Sequence, residues 1–198
     1  MQILKVPYRK QISESACGVA AFEMAYRYIR PSKLSKFSQE KAHNKRAELS
    51  PDKTDMRVTT YDLIELAQSR GLRSDWGRVD PFPLRLVGQV RYFTETAKIP
   101  LIACQQWHED KTVGHFRVIV GIDEKEVVFH DPEPDVGGPE RRLPLLEFID
   151  AWRWSPGKNV TGGVGIWVAK HEIASPLGPD APNPWALERT GRDSGFDE

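Results

Sequence analysis

Cysteine is scarce. The two in this 198-residue chain, Cys17 and Cys104, are too few for a disulfide framework. With no CxxC or HxxxH spacing, a closed metal site is not expected either, and no cofactor is. Long apolar runs are also missing. Nothing approaches the roughly 18 consecutive apolar residues of a spanning helix, so no membrane span is expected. The N-terminus, Met1 to Lys10, has neither an apolar signal core nor a small-residue cleavage site, which points to the cytoplasm. Excess charge of one sign is absent too: 28 Lys and Arg balance 28 Asp and Glu. A protein that grips a phosphate backbone needs a basic surplus, so nucleic acid is not an expected partner.

What is present suffices for one globular core. Apolar residues make up 39% of the chain, with 15 glycines besides. The length fits one domain, assigned to residues 1–173, followed by a tail over 174–198. That tail holds Pro176, Pro179, Pro182 and Pro184 and shows no helical or strand period. It reads as extended and poorly ordered, with Trp185 as its one anchor.

The chain opens with helices. Ser13 and Ser15 are cap-type residues ahead of Ala16 to Tyr26, where Val19, Phe22, Met24 and Tyr26 mix with alanines as in a buried helix. From Pro31 to Arg57 the chain is polar and Lys-rich, and Lys33–Arg46 reads as a solvated face. Thr59 or Thr60 caps a second helix carrying Leu63, Ile64, Leu66 and Ala67, and Gly71 closes it. A third helix is expected over about Leu84 to Lys98. The period then changes. Pro100–Trp107 reads as a strand, and His115–Asp123 and Glu126–Asp131 form a hairpin about Glu124 and Lys125. Leu145–Trp154 reads as a helix and Gly165–Lys170 as a last strand. Helices followed by an antiparallel sheet make an α+β layout.

Three side chains in this layout suit nucleophilic catalysis: Cys17, His115 and Asp131. A thiol nucleophile needs its pKa brought below the free value of about 8.5. The first turn of a helix supplies unpaired N–H groups and a dipole for this, and Cys17 stands there. An imidazolium supplies the rest and later protonates the leaving group. His115 opens a strand behind Gly114. The imidazole needs an acceptor to set its tautomer. A turn centred on Glu124 and Lys125 pairs residues whose numbers sum to about 249, so Asp131 falls within a few residues of His115. Pro132 then stops the strand. An oxyanion hole needs donors beside the thiol, and the Cys17 N–H and the Gln11 amide can supply them.

Other residues compete for these roles and fit less well. Strand alternation turns His130 away from Asp131. Asp123 lies at the far end of its strand. His108 lies in a polar loop where it could line the cleft, with Trp107 beside it. Cys104 reads as core, and a Cys17–Cys104 disulfide is not expected in a reducing compartment.

The pattern Gln11-x5-Cys17-Gly18-x-Ala20, then Gly114-His115-Phe116-x-Val118-x-x-Gly121 and Asp131-Pro132, resembles the bacteriocin-processing peptidases. These are the double-glycine leader peptidases, family thirty-nine of the cysteine peptidases, in the papain-like clan. The resemblance spans roughly Leu4 to Ala169. It implies Cys17 as nucleophile, His115 as base, Asp131 as orienting group and Gln11 as oxyanion donor. It also implies a papain-like fold, a peptide or protein substrate, and a stand-alone member that could associate with a separate exporter. Ser15-Ala16 stand where the exporters often carry Asp, and Pro31–Arg57 is longer than the family's linker. The expected activity is hydrolysis of a peptide or isopeptide bond. An acyltransferase using the same residues, or a silent module that binds a leader peptide, remains as an alternative.

Overall fold

The computed structural model describes residues 1–31, 37–49, 58–80, 82–106, 114–135, 137–153, 163–174 and 176. Helices α1 (Cys17–Ile29), α2 (Gln39–Leu49) and α3 (Thr60–Ser69) come first. Strand β1 (Arg73–Arg78) and helix α4 (Pro83–Arg91) follow. Then come β2 (Leu101–Gln106), β3 (Gly114–Ile122), β4 (Glu126–Asp131), β5 (Gly138–Pro144), α5 (Leu145–Arg153) and β6 (Val164–Ala169). The strands form one antiparallel sheet in the order β1-β6-β2-β3-β4-β5. The α+β expectation is met.

Strand alternation divides the core into two layers. On one face Ile102, Phe116, Val118, Val128 and Ile166 pack against Val19, Phe22 and Ala25 of α1 and Leu63, Ile64 and Ala67 of α3. On the other, Leu101, Ile119, Phe129 and Trp167 meet Leu86, Val87 and Val90 of α4 and Phe148, Ile149 and Trp152 of α5. Both layers are built from fully buried apolar side chains, so each helix is held by hydrophobic burial.

One irregularity positions the site. Ile122 pairs with Val127 and Gly121 with Val128, but Ile119 pairs with Phe129 and Val118 with His130. Val120 is therefore an extra residue on β3, a bulge that lowers the pairing sum by one. Its carbonyl accepts from the Leu4 N–H at 2.9 Å, which fastens the N-terminal segment to the sheet.

Some sequence expectations hold and others need correction. The α3 cap is Thr59, in a reciprocal capping box with Asp62, and Gly71 follows with φ 67°. The α1 cap, however, is Ala16, with no side-chain bond. The third helix ends at Arg91 and passes into one π-helical turn, Tyr92–Thr96, where the Ala97 N–H reaches the Tyr92 carbonyl. The polar stretch contains α2, which packs rather than floats: Gln39 and His43 are buried. Strands β1 and β5 were not expected at all. Trp107, His108, Trp154, Trp185 and the tail from 177 onward lie outside the described residues.

Candidate active site

Cys17 is the first residue of α1. The hydroxyls of Ser13 and Ser15 leave that helix end uncapped. The Ser13 carbonyl accepts from Ala16 N–H at 3.0 Å, and Ser15 Oγ lies 2.9 Å from His43 Nε2. The open turn has another use, because its Gly18 N–H, together with the Phe116 N–H of β3, acts to lower the Cys17 pKa. Gly18 is required by close packing. A Cβ there would stand 2.2 Å from Val58 Cγ2 and 3.0 Å from Phe116 Cδ2. Its absence lets α1 press against β3 and brings Cys17 to His115.

His115, the second residue of β3, is 3% exposed. Its Nε2 lies 2.7 Å from Asp131 Oδ1 at the end of β4. The imidazole also lies close enough to Cys17 for each to shift the other's pKa. Nε2 is taken by the carboxylate, so Nδ1 is the ring nitrogen left for the sulfur. The structure thus brings together Cys17, His115 and Asp131 from three separate elements.

Burial works against every charge here, and the neighbours outweigh it. Burial raises the Cys17 thiol, yet the His115 hydrogen bond and charge, with the two N–H donors, bring it below its ordinary value. Burial lowers His115, yet its hydrogen bonds and charge pairing with Asp131 and Cys17 push it up to about 9. Burial raises Asp131, but the bond and charge from His115 and then Arg117 hold it well below the usual carboxylate range. These are the conditions for a thiolate–imidazolium pair near neutral pH. Cys104 offers the contrast. Half-buried on β2, it is pushed up to about 12 by burial and by the nearby Cys17. Both cysteines are free thiols.

Gln11 is 4% exposed, and its backbone N–H donates to the Pro132 carbonyl at 2.9 Å, which ties it to the end of β4. Both amide atoms, Nε2 and Oε1, are buried without a hydrogen-bond partner among the described residues. A buried amide left unpaired is costly and calls for an explanation. Its neighbourhood is fixed by a buried cluster. Glu23 Oε2 accepts from Gln39 Nε2 at 2.7 Å, and that amide also donates to the Lys10 carbonyl at 3.0 Å.

The competing residues are placed elsewhere. His130 Nε2 lies 2.8 Å from the Val6 carbonyl and its Nδ1 accepts from Glu140 N–H, away from Asp131. Asp123 caps the hairpin turn. Three residues at the site were not singled out from the sequence: Arg117, Gln105 and Glu133. Arg117 Nε donates to Asp131 Oδ2 at 2.7 Å. Gln105 accepts from Arg117, and Glu133 Oε2 lies 4.0 Å from His115 Nδ1. A guanidinium inside the apolar run Phe116–Val120 was the available signal, since a buried Arg demands a partner.

With this geometry in view, the sequence profile of the peptidase C39 family matches residues 5–154. The chain belongs to the C39 family of cysteine peptidases. Among curated proteins, none matches it significantly. Solved structures share the fold of this C39 peptidase at low identity. The peptidase domain of Streptococcus ComA, a bi-functional ABC transporter in a quorum-sensing pathway, is 18% identical with a TM-score of 0.57. That match covers 83% of this chain and all of the ComA domain. A double-glycine motif protease from an AMS/PCAT transporter, solved with its leader peptide, is 19% identical with a TM-score of 0.53, covering 84% and 92% of the two chains. A C39-like peptidase from Bacillus anthracis gives 14% identity and a TM-score of 0.62, covering 87% of this chain and 100% of its own. The papain-like α+β architecture is therefore shown. No helix among the described residues is long and apolar enough to cross a membrane.

Proposed function

We propose that this C39 peptidase cleaves a peptide bond with Cys17 as nucleophile, His115 as acid and base, Asp131 as orienting group and Gln11 as oxyanion donor. The observation that carries the reading is the imidazole of His115, held at Nε2 by Asp131 and close enough to Cys17 that each shifts the other's pKa. The Cys17 thiolate attacks the scissile carbonyl. The oxyanion that forms is met by the Cys17 N–H and by Gln11 Nε2, whose missing partner is this transient charge. His115 then gives its proton to the leaving amine. An acyl-enzyme on Cys17 remains. Water, deprotonated by His115, hydrolyses it and restores the thiolate. Asp131 stays ionised throughout and keeps the ring in place.

The substrate class is a precursor peptide bearing a leader, the kind of ligand bound by the double-glycine motif protease of similar fold. Association with an exporter belongs to the same reading.

Iodoacetamide labelling at about pH 6 followed by peptide mapping tests the thiol, because a free thiol is mostly protonated there. Cys17 should carry the adduct and Cys104 should not. Labelling of Cys104 first, or an inert Cys17 in the folded protein, overturns the assignment.

A further inference from the structure

The mechanism uses one oxygen of Asp131 and leaves the other unexplained. Oδ2 accepts from Arg117 Nε at 2.7 Å. Arg117 Nη1 donates in turn to Gln105 Oε1 at 2.8 Å, and Gln105 Nε2 donates to the Phe148 carbonyl of α5 at 3.0 Å. The guanidinium lies over the Phe129 ring, 5.4 Å from its centroid. Gln105, Arg117 and Asp131 are 1%, 8% and 4% exposed, so no bulk water screens the chain. The β3 bulge favours this contact: continued one step past its last pair, Val118 with His130, the register leads to Arg117 and Asp131, whereas the sum of 249 before the bulge leads to Pro132.

We propose that Arg117, braced by Gln105, is a positioning residue that fixes the Asp131 carboxylate against His115 and sets the pH range in which the thiolate–imidazolium pair survives. The proposal rests on the Cys17–His115–Asp131 reading above. A carboxylate with both oxygens engaged cannot rotate, so Oδ1 stays on the imidazole. The guanidinium keeps Asp131 anionic, so it cannot take the imidazolium proton. Its positive charge also draws on the same carboxylate that His115 uses. The imidazolium therefore gives up its proton at a lower pH than it would beside an unshared Asp131.

The groups facing this centre are Cys17 from α1, Asp131 from β4, Glu133 beyond β4, Tyr8 from the N-terminal segment, and Cys104 and neutral Gln105 from β2. Among the described residues named here, Arg117 is the one with a fixed positive charge.

The test measures the rate of Cys17 alkylation by iodoacetamide from roughly pH 5 to pH 10 in the full chain, with far-UV circular dichroism as the folding control. In Arg117→Met the alkaline inflection should move up by about one pH unit, the effect of removing one nearby charge. Peptide turnover should fall about tenfold, since an imidazole less well oriented and more basic transfers its proton less effectively. Arg117→Lys, which keeps the charge, should restore the wild-type inflection. If Arg117→Met does not fold, Gln105→Glu carries the test, because its carboxylate cancels the guanidinium charge in place and should give the same upward movement. An unmoved inflection in the folded variant overturns the proposal. A wild-type profile that His115→Ala leaves unaltered overturns the triad reading itself, which separates the two failures.

Discussion

Asp123 and Asp131 stand at opposite ends of the β3–β4 hairpin, and both are more acidic than an ordinary carboxyl group. The causes differ. Asp123 Oδ1 accepts from the Lys125 and Glu126 N–H groups at 2.9 and 3.0 Å, closing the turn near solvent. Asp131 is buried between an imidazole and a guanidinium. A low carboxyl pKa by itself therefore does not mark a reactive centre. What distinguishes the Asp131 end is burial together with partners whose protons or charges the carboxylate controls.

Asp131→Asn should break that end with the largest effect. With its one oxygen drawn to the Arg117 donor, the amide would turn its NH2 toward Nε2 and leave the imidazole without an acceptor, and turnover should fall by about 10³- to 10⁴-fold. Arg117 would also be left as a buried cation without its anion, at a cost of about 3 kcal/mol or more. Steady-state cleavage of a leader peptide and thermal melting report the two losses. Turnover within tenfold of wild type would remove Asp131 from the mechanism.

Gln11→Ala comes next, with turnover down about 10²-fold for one lost oxyanion donor. Its stability signature is the opposite of that for Asp131. The amide has no partner among the described residues to lose, so the melting temperature should hold or rise. A lower melting temperature with unchanged turnover would make Gln11 a structural residue.

The pH profile sharpens the comparison further. His115 keeps its proton up to about 9, so below that value an acid is available for the leaving amine. As pH rises through it the proton is lost, and turnover should drop about tenfold per pH unit beyond. On the acid side turnover falls as the thiolate is protonated, below the ordinary thiol range. An alkaline limb near 6.5, the ordinary imidazole value, would mean that Asp131 and Cys17 do not act on His115.

The hairpin was legible in the sequence because β3 and β4 are central strands. Their β-branched runs and the Glu124–Lys125 turn specify the pairing to within the one residue that the Val120 bulge inserts. Strands β1 and β5 were not legible, and they are the two edges of the sheet. Edge strands carry charge rather than an apolar alternation, which deters further pairing. Arg73, Asp75 and Arg78 in one, and Glu140, Arg141 and Arg142 in the other, hide the strand for that reason. Cys17, His115, Asp131 and Gln11 could be named as candidates from residue chemistry and order. Arg117 could be marked only as a cation inside an apolar strand that must find a partner, and not as a partner of Asp131, because local sequence does not reveal the Val120 bulge.

Asp123→Ala should have the smallest effect and is the control for the whole comparison. It removes an acceptor for two backbone N–H groups at a partly exposed turn, where water can replace the carboxylate. The expected loss is about 0.5 kcal/mol, or roughly 1 to 2 °C in melting temperature for a chain of this size. Turnover and the alkaline limb near pH 9 should both stay in place, since the turn lies at the far end of the hairpin from His115. A large fall in turnover, measured on the same leader peptide, would show that the turn sets the register on which the His115–Asp131 contact depends. The two ends would then be a single unit, and the contrast between the two aspartates would fail.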